Sequence, residues 1–520
     1  MRRDAATAVK GLKTHGRSLR GSSIRRKKEP AASPHSQRRA AGHAIAAKWS
    51  VPVKKAGAFD LKAQDASIRP QASAGGLNPR AAAVHVLNRV LVSGGYADIV
   101  LDNTLKSVSA SEEDRSLCTE IVYGTLRWLG WLDYVLQHMA RVSWQGVPQP
   151  VQRILETALY QIQFLDRIPD YAVVDEAVRM AKLQAGLKWG RLVNGLLRSY
   201  LRNPQQVQPP DPGEDPVRAI AIRWSHPEWI VREWIQEFGM ERTEALCRAD
   251  NARPVFHVRV NTARSDAGDV IRSLAAEGFP VSPSGILGEF FILGQRNGLF
   301  GTQAFKQGLL SVQDVSAGFA SRLIDPKPGE VIADMAAAPG AKSAHLAELA
   351  GGHAVILAMD SARGRIRLLG NGLRRLGSVS VHPVLADSRH ACIRTADKIL
   401  LDAPCSGLGV LGKRGEIRWR IRPESLPRLL RIQEEMLESA AGALKPGGLL
   451  VYSTCTVRRD ENAGQVERFL GRHPEFTIED ARGFVPDRFV TARGFVETWP
   501  DLHGIDGSFA ARLRKGESST

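Results

Sequence analysis

Cysteine is scarce in this chain. There are five in 520 residues (Cys118, Cys247, Cys392, Cys405 and Cys455), an odd number with no CxxC pair. That argues against a disulfide framework or a zinc ribbon, leaves no metal site to propose, and points to a reducing, cytoplasmic compartment. Long apolar runs are missing too. None approaches the roughly 18 residues needed to span a bilayer, which argues against a membrane protein. Acid is nearly absent from residues 1–75, which carry 17 Lys+Arg against 4 Asp+Glu; the other 445 carry 54 against 50. Most of the net charge of +17 is therefore a tail. Such a tail attracts polyanions without sequence preference.

With Arg25-Arg26-Lys27-Lys28 and Arg38-Arg39 and no apolar period, residues 1–76 read as a disordered basic tail. A nucleic-acid arm, a solvated extension and an organelle leader all fit that composition. From Asn78-Pro79 the character changes. Asn78 can cap a helix with Pro79 in its first turn, and Val84, Leu87 and Leu91 follow at helical spacing. Similar stripes recur to about residue 202, so 77–204 is expected to be an all-α domain of five to seven short helices. Trp128, Trp131 and Trp189 fall within these stripes and read as core. Pro204 to Pro216 is a proline-rich linker. Residues 217–300, with a helix expected at 227–238 and strands at 256–260 and 288–293, read as a small α+β module.

Residues 301–516 alternate strand and helix, the pattern of a parallel, doubly wound α/β (Rossmann-like) domain. Four successive apolar runs end in aspartate: Asp334, Asp360, Asp387 and Asp402. One such Asp is usually a cap. Four at one sheet edge call for a polar ligand, and ligands of open α/β sheets bind at the carboxyl ends of strands. The first run leads into Ala336-Ala337-Ala338-Pro339-Gly340-Ala341-Lys342, where small residues let a ligand approach the backbone. Asp360 lies near the usual spacing for an acid that binds ribose hydroxyls. That loop is not GxGxxG, and the chain has no GxxxxGK[ST]. A nucleoside without a phosphate bridge fits better. S-adenosylmethionine is one: its ribose suits Asp360, its adenine Asp387, and its methionine end the small loop and Asp334.

The fourth run opens Asp402-Ala403-Pro404-Cys405-Ser406-Gly407, and a second thiol follows the next run in Ser453-Thr454-Cys455. Two thiols and an acid at neighbouring strand ends suit covalent chemistry on an electrophilic ring. Cytosine C5 is a poor nucleophile until something adds at C6. A thiolate adding there, with an acid at the base edge, makes C5 able to take a methyl group. A base must then remove the C5 proton so that the thiol can leave. Cys455, Asp402 and Cys405 can fill those roles. The alternative is that both thiols are small buried hydrophobes.

These strings, with Gln313-Asp314-Val315-Ser316-Ala317 and the terminal Asp506-Gly507-Ser508-Phe509, resemble the Sun family of RNA cytosine-C5 methyltransferases. The region 78–202 is similar to NusB-type RNA-binding domains. The resemblance implies an S-adenosylmethionine-dependent enzyme acting on RNA, with ribosomal RNA of the small subunit the expected substrate. It implies Cys455 as nucleophile, Cys405 as the residue assisting release and Asp402 at the cytosine. The loop 336–342, Asp334, Asp360, Asp387 and Asp402 are expected around the cofactor, in a monomer with no metal. Three departures stand out. Ala336 and Ala341 replace the family's usual Cys and Gly, Lys413-Arg414-Gly415-Glu416 replaces an Arg-His-Pro-Asp-like stretch, and Ser508 replaces Phe. A transfer-RNA target is the same-class alternative. A non-catalytic RNA-binding assembly factor is the other, and it would have no need of a thiol pair.

Overall fold

The computed structural model describes residues 78–107, 109–294, 297–390 and 392–517; the basic tail lies outside them. Asn78 accepts the backbone N–H groups of Arg80 and Ala81 at 3.1 Å, starting the helix Pro79–Leu91. Ser111 caps the longest helix, Glu112–Met139, whose first turn carries Glu112, Glu113 and Asp114 against the positive end of the helix dipole. With Ala97–Lys106, Gln149–Phe164, Asp170–Ala185 and Leu187–Arg202 these make six helices. They close around Trp131, Leu132, Ile154, Leu159, Val193 and Leu197. Trp128 and Trp131 are core, as their stripe positions imply, whereas Trp189 is only half-buried.

Helices Pro216–Arg223, Glu228–Phe238 and Met240–Asn251 follow the proline-rich linker. The second was expected to begin at Pro227, which instead caps it. A four-stranded antiparallel sheet comes next: β1 (Phe256–Val260), β2 (Val281–Pro283), β3 (Phe290–Leu293) and β4 (Leu310–Val312), in the order β2-β3-β1-β4. Its edge strand β4 is drawn from the stretch that the sequence pattern assigns to the catalytic domain.

The large sheet contains β5 (Val331–Asp334), β6 (Val355–Asp360), β7 (Val381–Leu385), β8 (Ala396–Asp402), β9 (Leu444–Thr454), β10 (Phe476–Glu479), β11 (Val496–Thr498) and β12 (Ser508–Lys515). Its order is β7-β6-β5-β8-β9-β12-β10, with β11 beside β12. Strands β5 to β9 are parallel, as expected. The sheet as a whole is mixed, because β10, β11 and β12 pair antiparallel. Apolar content tells a buried strand from an exposed one but not its direction. The chain reverses strand order between β5 and β8, and their carboxyl ends define the crevice. Strand β7 ends two residues before Asp387, earlier than its apolar run suggested.

The stretch Lys413–Glu416 meets the helical domain, where Arg414 pairs with Asp98 at 3.5 Å. Just beyond it, Arg418 is fully buried and donates to Arg127 O (3.2 Å), Ser225 O (3.0 Å) and Asn251 Oδ1 (2.8 Å). Trp419 Nε1 donates to Leu126 O at 2.7 Å. Burial lowers the Arg418 pKa to about 10, still well above neutrality, so the cation persists. Arg418→Ala strands three acceptors in a dry interface. It is expected to cost roughly 3 kcal/mol and to separate helical-domain unfolding from catalytic-domain unfolding in a calorimetric scan. A single unshifted transition would refute the latch.

Candidate active site

Buried strands deliver the polar groups. In β8, Ile399, Leu400 and Leu401 have no exposed surface, and Asp402 emerges where the strand ends. Asp402 accepts Lys342 Nζ at 2.7 Å on one oxygen and Ser453 Oγ at 2.8 Å on the other. Burial opposes the charge of Lys342, but the Asp402 carboxylate outweighs it and its pKa is raised. The ammonium is therefore fixed at neutral pH. Lys342 was expected only as a loop residue around the cofactor; its cationic end instead meets the carboxylate beside the thiols.

Cys405 and Cys455 lie with their sulfurs 3.4 Å apart and not bonded to each other. The hydrogen bond shared with Cys405 holds the Cys455 thiol below its ordinary value of 9.0; the surrounding protein's desolvation and the Asp402 carboxylate oppose this, and Lys342 and Arg414 assist it. The same bond, with burial, pushes Cys405 well above that value. Cys455 is the exposed member of the pair and Cys405 is partly covered. The arrangement offers one thiolate to the cleft and keeps one proton on its neighbour.

Both cysteine loops rest on one buried polar network. Glu461 accepts Ser406 N at 2.9 Å, Ser406 Oγ at 2.5 Å and Gln433 Nε2 at 3.0 Å. Gln433 Nε2 also donates to Pro404 O at 3.0 Å. Ser406 Oγ and Thr456 Oγ1 are 2.8 Å apart, and Asn462 Nδ2 donates to Thr456 O at 2.9 Å. Every loop segment is thus held through its backbone. Gly409 completes the clamp: its N–H donates to Cys455 O at 3.0 Å, and its carbonyl accepts Gly507 N at 2.7 Å. A Cβ on Gly409 would lie 2.0 Å from Gly507 O, so only glycine fits. Sequence reasoning missed Gln433, Thr456, Glu461 and Asn462. The polar run Arg458–Asn462 directly after a thiol was the available signal.

The other side of the crevice is built from β5, β6 and the segment after β7. Asp334 is buried, accepts Ser343 Oγ at 2.6 Å, and leaves its Oδ1 without a partner. Burial lifts its pKa to about 6. Between β5 and the helix Ala341–Leu349 runs the small-residue loop, turned by Gly340 at φ +106°. Asp360 ends β6, 4% exposed, accepting Ala362 N at 2.9 Å and pairing with Arg365 at 3.0 Å. Asp387 is held by Arg389, which lowers its pKa to about 2. Ser388 Oγ donates to Met335 O at 2.6 Å, tying that segment to the loop. An orphaned buried carboxylate oxygen, a loop of mostly small residues and an acid at the ribose spacing fit S-adenosylmethionine.

A sheet of this order, closed by antiparallel β12 and bearing that crevice, belongs to a Rossmann-like methyltransferase, here with a helical domain in front. A family model described as 16S rRNA methyltransferase RsmB/F matches residues 321–514. The NusB family matches 77–202, and the ferredoxin-like domain of RsmF/B-like methyltransferases matches 226–297. The probable ribosomal RNA small subunit methyltransferase B of Bacillus subtilis (strain 168) is 36% identical, over 83% of this chain and 98% of its own. Its namesake in Vibrio vulnificus (strain YJ016) is 31% identical, over 84% and 100%. The crystal structure of PH0851 matches with a TM-score of 0.73 at 28% identity, over 84% of this chain and 99% of that one. The chain belongs to the ribosomal RNA small subunit methyltransferase B family.

Proposed function

We propose that the protein transfers a methyl group from S-adenosylmethionine to C5 of a cytosine in small-subunit ribosomal RNA. The observation that carries this reading is the thiol pair, 3.4 Å apart, beside the Asp402–Lys342 pair. The target base has to leave its stack to expose C6, so a loop or single-stranded site is expected. Asp402 receives the polar edge of the base. Cys455 then adds its electron pair at C6. The charge that develops on the ring meets the Lys342 ammonium, which costs no reorganisation because it is already fixed. When bound, the cofactor supplies the methyl group. The bond to C6 removes the Cys455 charge that held the Cys405 proton, so Cys405 releases that proton to water and, as thiolate, takes the proton from C5; the C5–C6 double bond re-forms and Cys455 departs as thiolate. The loop 336–342 with Asp360 and Asp387 holds the cofactor, and Asp334 braces the loop through Ser343.

Bisulfite sequencing of total RNA from a strain lacking the gene, beside its parent, tests the reading. One protected cytosine should be lost from small-subunit rRNA. Loss at a transfer-RNA position would keep the mechanism and change the substrate. No change anywhere would favour a binding role in assembly.

The thiol asymmetry has its own signature. Thiolate is present above the pKa, so a lowered pKa extends reactivity to lower pH. The rate of Cys455 alkylation by iodoacetamide should rise with an inflection below 9.0. In Cys405→Ala the S–H donor is gone, and the inflection should move upward. An unchanged profile would remove Cys405 as the cause.

A further inference from the structure

The helical domain carries a cleft unused by the chemistry above. Its walls are Val142, Ser143 and Gly146 of one loop and Lys188, Trp189 and Arg191 of the helix Leu187–Arg202, enclosing about 480 Å³. Trp189 is half-buried, one side against the helical core and another lining the cleft. The helix continues the feature. Lys188, Arg191, Gly195, Arg198 and Arg202 follow at spacings of three and four, all are exposed, and the helix contains no acid. At 1.5 Å per residue this stripe is about 21 Å long. None of its four cations pairs with a carboxylate among the described residues; Arg198 bonds only the neutral Asn194. Nothing stands within 4 Å of a Cβ placed on Gly195, so the middle of the stripe is open to an approaching chain.

Lys188 Nζ lies 5.1 Å from the centroid of the Trp189 ring, so cation and aromatic face already meet in the cleft. An aromatic beside cations that meet no carboxylate suits a nucleobase and its phosphates: a base stacks on the ring in place of the ammonium, and the cations track the backbone. We propose that this face is a second RNA site, in which an unstacked base of single-stranded RNA enters the Trp189 cleft and its phosphates run along Lys188, Arg191, Arg198 and Arg202. The proposal rests on the reading of an RNA substrate and gives that substrate a second anchor outside the crevice. An acidic protein segment would satisfy the cations but has no use for the ring.

The test is fluorescence anisotropy of the full chain with a labelled 20-nucleotide single-stranded RNA of mixed sequence, repeated across a salt series. Trp189→Leu should weaken binding about 10-fold or more, the scale of one stacked base. Trp189→Phe, which keeps an aromatic face, should largely retain it. Lys188→Gln with Arg191→Gln should make the salt slope shallower by about 1.4, the value for two single-strand phosphate contacts. Wild-type affinity in Trp189→Leu, equal loss in Trp189→Phe, or an unchanged salt slope would each overturn the site. So would displacement of the RNA by polyglutamate at matched ionic strength, the outcome expected of a protein-docking face. Loss of binding in Trp189→Leu by a protein that methylates no RNA would overturn the proposed reaction and leave this site standing. Normal methylation by the wild-type chain with no effect of Trp189→Leu would do the reverse.

Discussion

Cys455→Ala is expected to reduce methyl transfer by about 10,000-fold or more, the scale on which an acting nucleophile's removal is felt. Affinity for S-adenosylmethionine should stay nearly unchanged, because the cofactor cradle is built on β5, β6 and the segment after β7, not on the loop after β9. The fold should tolerate the change. Cys455 is exposed, and apart from the contact of its sulfur with Cys405 its loop is held through backbone and the buried side chains beneath it. A shift in stability within about 0.5 kcal/mol is expected, as for other surface substitutions. Two assays separate the possibilities: single-turnover methylation of RNA, and cofactor binding by calorimetry. Retained methylation would end the nucleophile assignment. Loss of both activities together would mean that Cys455 holds the cradle instead.

The parts of this site that could be read from the sequence are those built by strands. Apolar runs ending in Asp334, Asp360 and Asp402 mark both the buried strand and the point where it ends at a polar crevice, because a charged residue cannot continue into a dry sheet without a partner. The small-residue loop was legible for the same reason: only residues without bulk leave room at a strand end. What the sequence left hidden depends on contacts between distant segments. Glu461 reads as one acid in a polar run, yet it sits fully buried with Ser406 and Gln433 as donors. Lys342 belongs by position to the cofactor loop, and only the adjacency of β5 and β8 brings it to Asp402. Trp189 shares its helical period with core residues. It is only half-buried because it also lines a cleft with Val142, Ser143 and Gly146, which no periodicity reports. The unusual stretch at Lys413–Glu416 also acquires a purpose in three dimensions. Lys413 pairs with both Asp314 and Asp506, while Arg414 reaches Asp98 of the helical domain.

Cys405→Ala is expected to leave the first half of the reaction running and to stop the second. Cys455 would still add to C6, since its thiol remains beside Lys342 and Arg414, although with a higher pKa once the S–H donor is lost. The C5 proton would then lack the acceptor proposed for it, and without its removal Cys455 cannot be expelled. Turnover should fall by about 100- to 10,000-fold, the usual contribution of a positioned acid or base. The product of the arrested cycle is a covalent protein–RNA adduct, visible as a denaturant-resistant band on a gel after incubation with RNA and S-adenosylmethionine. The double variant Cys405→Ala with Cys455→Ala must lose that band, because the bond to C6 is made by Cys455. Two results would count against the assignment in different ways. A slow single variant without any adduct would make Cys405 a tuner of its neighbour's ionisation alone. An adduct that persists in the double variant would place the nucleophile on another residue. With the sulfurs 3.4 Å apart, the atom lost in Cys405→Ala is a direct neighbour of the sulfur that bonds C6.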